Sequence, residues 1–223
     1  MDPFIPTIIR LRFTKTGPIR FISHLDLTRA FHRAISRAEI PIRFSEGFSP
    51  HPRFTFALPL SVGMESLCEI ADFHLREGAE MSPEEILSRL EGQLPAGIEI
   101  TSCEIATGKL NGIAYARYEV LLPNAGPALI PAVEKALQGE LFIEKKNKKG
   151  KPVTKEISPG IHAFEAAPRD GGIRLLLTLG AGGETVLGPD AVLTALEGAV
   201  PGFDKSGRRV TRLALLQADE TAF

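Results

Sequence analysis

Cysteine is scarce in this chain. Cys68 and Cys103 are the only two in 223 residues, too few and too far apart for a disulfide framework or a cysteine-ligated cluster. Long apolar runs are also missing, and none approaches the roughly 18 residues that a membrane span needs. The opening stretch, MDPFIPTIIRLRF, has neither a basic region nor a long apolar core, so no secretory signal is predicted. No sign of charge dominates, with 26 Lys and Arg against 27 Asp and Glu. These absences exclude a small disulfide scaffold and a helical membrane protein, and the expectation is a reduced, cytoplasmic protein without membrane contact. What is present, 43% hydrophobic and 24% charged residues, suits one large globular domain or two of about 100 residues each.

The near-zero net charge conceals a segregation. Residues 1–57 carry nine Lys or Arg against four Asp or Glu, residues 58–143 five against thirteen, and residues 144–223 twelve against ten. The basic excess of the last third lies in EKKNKKGKPVTK at 144–155. A chain split in this way offers a local site for a polyanion without the high isoelectric point of a dedicated nucleic-acid binder.

Hydrophobic period predicts the elements. Residues 7–14 alternate apolar and basic as a half-buried strand, and Thr16-Gly17-Pro18 ends it. From Ser23 the spacing turns helical, with Leu27, Ala30, Phe31, Ala34, Ile35 and Ala38 on one face, up to Glu39 and Pro41. Ser23 and Asp26 have the form of a capping box. Strands follow at 53–58 and 67–75, a helix opened by Ser82-Pro83-Glu84-Glu85, and a strand at 97–105. The order is βαββαβ. The second half repeats it: strand 116–122, helix from Pro127, a basic hairpin at 141–146 and 153–157, strands 161–167 and 173–179, a helix from Pro189, and strand 208–217. The glycines of LGAGGETVLGPD fit no phosphate-loop pattern and read as a connection. The expected fold is α+β, two tandem ferredoxin-like domains (1–110 and 111–223) of antiparallel sheets with helices on one face. A single larger α+β sheet is the competing architecture.

Three features can carry chemistry. Arg29, Arg33 and Arg37 recur every four residues on the first helix, a stripe about 12 Å long whose guanidinium forks suit successive phosphates. The loop IRFSEGFSPHPRFTF interleaves aromatic rings with basic groups, and Gly47, Phe48 and Arg53 are its candidate contacts to unpaired bases, while Phe54 and Phe56 suit a core. Lys145, Lys146, Lys148, Lys149 and Lys151 form the basic hairpin, an expected outer clamp on a polyanion. His24, Asp26 and His51 are candidates for general acid–base work, and His24-x-Asp26, Asp72-x-His74 and His51 for metal ligation. The tight ligand spacings of known metal sites are missing, so no metal and no cofactor is expected.

Three longer motifs, K-T-G-P-x-R-F-I-S-H-L-D at 15–26, G-F-S-P-H-P at 47–52 and L-P-L-x-V-G-x-E-S at 58–66, resemble the uncharacterised bacterial family of radical-SAM-linked proteins. The resemblance implies a radical-SAM partner and supplies no catalytic assignment. The chain has no C-x-x-x-C-x-x-C and so cannot hold that partner's iron–sulfur cluster, which places the radical-SAM protein on a separate polypeptide. The expected function is a non-catalytic RNA-binding accessory of such an enzyme, in RNA modification or translation-related processing. The alternative is an enzyme in its own right, acting on RNA or a phosphorylated small molecule through His24, Asp26 and His51.

Overall fold

Ile9, Leu11 and Phe13 are all fully buried on one side of β1 (Ile8–Lys15), as the alternation of this strand requires. The computed structural model describes residues 7–146 and 150–223, in two units, Met1–Asn111 and Gly112–Phe223.

In the first unit, α1 (His24–Arg37) starts where the Ser23 hydroxyl accepts the Asp26 N–H at 3.1 Å, and it ends before Glu39, whose φ is +52°. β2 (Phe54–Phe56) and β3 (Glu65–His74) follow, then α2 (Pro83–Leu90), capped by Ser82, and β4 (Ile98–Ile105). β1 pairs antiparallel with β3 and β4, and β2 with β3, so the order is β4-β1-β3-β2. Leu27, Phe31, Ala34 and Ile35 of α1 and Ile86 and Leu90 of α2 share one core with Ile9, Leu11 and Phe13, so both helices cover the same face. On the opposite face Arg10 is buried against Asp72 in a two-pronged pair at 2.9 and 2.8 Å, and it also donates to the Gly108 carbonyl at 2.8 Å. Gly97 joins β4 to the end of β1. Its φ is +89°, and any Cβ there would stand 2.3 Å from the Thr16 carbonyl oxygen.

The second unit repeats the order with one insertion. It comprises β5 (Tyr115–Leu122), α3 (Ile130–Gln138), β6 (Phe142–Lys146), β7 (Pro152–Glu156), β8 (Ile161–Arg169), β9 (Gly172–Gly180), α4 (Pro189–Ala199) and β10 (Arg209–Leu216). Antiparallel pairing gives β10-β5-β9-β8, while β6 and β7 pair with each other as a separate hairpin. Val120, Leu175, Leu177 and Leu179 of the sheet and Val133, Val192 and Leu196 of the helices are all buried. The fold is therefore mixed α+β, with antiparallel sheets and few helices. Among the described residues no helix is long and apolar enough to cross a membrane.

Candidate nucleic-acid interface

The segment between α1 and β2 is a pinched loop with an ordered neck. Arg53 N–H donates to the Arg43 carbonyl at 2.9 Å, and Ser45 N–H to the His51 carbonyl at 2.8 Å. The Ser45 hydroxyl accepts the His51 N–H at 3.1 Å and lies 3.0 Å from His51 Nδ1. The neck is tied to the end of β3, since Arg43 N–H donates to the His74 carbonyl and His74 N–H to that of Arg53. Beyond the neck, residues 46–50 form the tip, where Gly47 turns the chain with φ +125°. Phe48 stands at that tip with its ring fully exposed. Burying such a ring would be worth about 1.5–3 kcal/mol, which this loop forgoes. Arg43 and Arg53 flank the neck, and among the described residues Arg43 has an ion pair only with Glu46 of the tip, at 3.8 Å.

Phe54 and Phe56 turn the other way. They are half-buried between α1 and the sheet, 5.0 Å apart by ring centroids, and Phe54 stacks on Phe73 at 6.1 Å. The His24 ring meets Phe56 edge-on at 5.0 Å, and His32 meets Phe54 edge-on at 6.0 Å. Among the described residues His32 Nε2 and His74 Nδ1 are buried without a hydrogen-bond partner. Burial, then the charge of His51, holds the His32 pKa down. Burial, then Arg53 and Arg43, lowers that of His74.

The arginine stripe divides into three different situations. Arg29 forms an exposed ion pair with Asp26 at 3.1 Å, three residues away rather than four. Arg37 donates to the Gln93 side chain at 3.0 Å and to its backbone carbonyl, which fixes it to the turn after α2. Among the described residues Arg33 has no ion pair. It lines, with Ala30, Arg37 and the 92–95 turn, a hollow of about 340 Å³. Asp26 is held below the usual carboxylate range by the Ser23 hydroxyl and then by Arg29. It spends its acceptors on the helix cap and on Arg29, and among the described residues no hydrogen bond or ion pair joins His24, Asp26 and His51. No group of three His, Cys, Asp or Glu side chains converges on a metal-sized centre among the described residues.

The hairpin carries Lys145 on β6 and Lys151 just before β7, whose residues are all exposed. Lys146 closes β6, and Lys148 and Lys149 lie outside the described residues.

Several groups escaped sequence reasoning. A 3-10 turn, Gly17–Phe21, is held by Glu65, which accepts from the Gly17 N–H at 2.8 Å and from Arg20 at 3.1 Å. Gly63 N–H closes the knot on the Arg20 carbonyl. The K-T-G-P-x-R-F and V-G-x-E-S segments thus bind each other, and their charges are spent on structure. The turn presents Phe21 and the start of α1 presents Leu25, both more than half exposed, with the Arg20 guanidinium 4.7 Å from the Phe21 ring. Asp72 inside the apolar run of β3 was the available signal for the buried Arg10 pair, since a buried acid needs a partner.

A family described as "uncharacterized protein conserved in bacteria (DUF2344)" matches residues 9–189. The chain belongs to that family. The matched stretch contains the whole of the first unit from β1 onward, including the knot and the exposed loop. No curated protein matches the chain. Among solved structures, an unknown protein from Galdieria sulphuraria is similar at 14% identity, over 93% of this chain and 98% of that one, with a TM-score of 0.25. A superposition that loose carries no argument about fold or function.

Proposed function

We propose that this member of the family is a non-catalytic RNA-binding protein whose main contact surface lies on the first unit. The observation that carries the reading is Phe48, a fully exposed ring on a pinched, hydrogen-bonded loop between Arg43 and Arg53. Such a ring stacks on any base, and the neighbouring guanidinium groups hold the adjoining phosphates. Arg33 and Arg29 extend the phosphate contacts along α1, since an exposed ion pair such as Arg29–Asp26 is worth little and yields readily. The lysine hairpin supplies further backbone contacts. The strand orders β4-β1-β3-β2 and β10-β5-β9-β8 support a finer description of the scaffold as two ferredoxin-like units in tandem. The motif resemblance supports a separately encoded radical-SAM enzyme as the partner that modifies the bound RNA.

The test is a salt titration of binding to labelled single-stranded and hairpin RNAs. If about six phosphates are neutralised, affinity falls roughly a thousandfold between 50 and 200 mM salt. Phe48→Ala weakens binding to single strands by about 1–3 kcal/mol and leaves the slope unchanged, because stacking releases no counterions. Replacing Arg29, Arg33 and Arg37 together by Ala flattens the slope by about two units, less than three because Arg37 is already occupied. Binding no tighter than that of a neutral control protein, with the triple variant unchanged, refutes the reading.

A further inference from the structure

The acidic middle of the chain contains a place that is also apolar and open. In the first unit, α2, the turn after it and the start of β4 enclose a groove of about 730 Å³. Leu87, Leu90, Leu94, Pro95, Ile98 and Ile100 line it, and Leu87 is exposed. Its charged lining residues are Glu84, Glu91 and Glu99, with no lysine or arginine among the described residues. Hydrogen bonds from its own backbone N–H and from Ser82 hold Glu84 below the usual carboxylate range, so it keeps its charge. The one cation of α2, Arg89, is turned away to Glu85, which it meets at 2.7 Å.

The groove runs beside an unpaired sheet edge. β4 ends its sheet, bonded to β1 on one side and, among the described residues, to no strand on the other. An open edge offers its backbone donors and acceptors to an incoming strand. The partner β4 already accepts shows what suits it. β1 reads Ile9-Arg10-Leu11-Arg12-Phe13, apolar toward the helices and basic on the other face, where Arg12 reaches Glu104 at 3.4 Å. The outer edge has the same two-sided character. Ile98, Ile100 and Cys103 pack toward the helices, Ile105 continues the strip more than half exposed, and Glu99 and Glu104 are exposed along the same strand.

We propose that the outer edge of β4 and the groove under α2 take one extended segment of a partner protein, alternating apolar and basic residues, as an added strand. Its apolar side chains fill the groove, whose rim carries Glu84 and Glu91, and its basic ones lie on the other face of the sheet beside Glu99 and Glu104. The charge selects against the other occupants. A second copy pairing edge to edge would set carboxylates against carboxylates, and a nucleic acid would meet the same repulsion. This surface contains no residue of the Phe48 loop, although it shares Gly92, Leu94 and Pro95 with the Arg33 hollow, and it does not depend on RNA being the ligand there.

The experiment uses the full chain and a fluorescent decapeptide of alternating valine and lysine, followed by anisotropy and by backbone amide shifts. The expected result is salt-sensitive binding with shifts concentrated in residues 84–105. Glutamate in place of lysine, or a central proline that removes a ladder donor, weakens it by about tenfold or more. Leu87→Lys with Glu91→Lys weakens it equally, while Val62→Lys, an exposed change in a loop, leaves it intact. Circular dichroism and retained amide shifts outside the groove establish that the double variant is folded. No binding, shifts elsewhere on the chain, or a proline peptide that binds as well as its parent overturns the proposal. So does a dimer abolished by the Leu87→Lys change, which would put a second copy in the groove.

Discussion

The two units share a strand order and differ in how they use it. Both helices of the first unit begin at a serine whose hydroxyl caps the first turn, whereas α3 and α4 of the second begin at Leu129 and Gly188 with no side-chain cap. Both units bury charge on their sheets, Arg10, Lys15, Glu69 and Asp72 in the first and Arg212 of β10 in the second, where Thr178 of β9 is buried too. The first unit's long connections carry the knot and the Phe48 loop, and the second unit instead inserts the lysine hairpin between α3 and β8. The lesson is that the shared skeleton fixes only where chain can be inserted and which face is covered. Chemistry is set by what fills the uncovered face and the connections.

The sharpest way to break this comparison is Asp72→Ala. It strands the buried Arg10 guanidinium and should cost about 3–5 kcal/mol, seen in urea melts. Hydrogen exchange should assign the loss to residues 8–105. Equal loss of protection in β9 would mean that the units unfold as one. Acid should act on the same unit next. His32 and His74 have pKa values depressed below the usual 6.5, so the folded form favours the neutral ring and unfolding takes up protons. Their contribution is whole above pH 6.5 and is lost as pH falls through that value toward the lower folded ones. His32→Gln should blunt the acid dependence of first-unit amide protection. If it steepens instead, the assignment fails. Ser23→Ala should cost about 1 kcal/mol by loss of the cap. Glu119→Ala, breaking a part-exposed pair with Arg174 at 2.6 Å in the second unit, should cost less than about 1 kcal/mol. Smallest is Gly188→Ser, which should stabilise α4 by a few tenths of a kcal/mol, since its backbone is already extended and a Cβ there meets nothing. A loss in its place would show that the second unit's bare caps are not a spare capacity.

Most element positions were legible because period 2 and period 3.6 are properties of adjacent residues. Ser23, Ser82 and Pro189 mark the starts of three helices within a residue. β2 came out shorter than its alternating letters suggest, because Arg53 is used in the loop neck. The candidate site was legible as a composition and not as a set of contacts. Phe48 between Gly47 and Ser49 signals exposure, but nothing local pairs Arg37 with Gln93, 56 positions away. The Arg29–Asp26 pair joins two residues that sequence analysis assigns to different roles, a phosphate stripe and an acid–base group. Arg10 has the same place in the alternation as exposed basic residues, and only the fold brings Asp72 and Gly108 to it.

The clamp of Arg10 on Asp72 and Gly108 also dates an event in the life of the chain. All three groups precede residue 109, so on a ribosome these contacts become available once the first half has left the exit tunnel. At about 5–20 residues per second, the 112 residues from Gly112 to Phe223 take roughly 6 to 22 s to make, part of it spent before the first half has cleared the tunnel. The knot of Glu65 on Gly17 and the pairing of β4 with β1 lie within the same early stretch. The nascent first unit thus has its ion pair, its knot and its last strand at hand while the second is still being synthesised, and the Phe48 loop leaves the tunnel before the lysine hairpin exists.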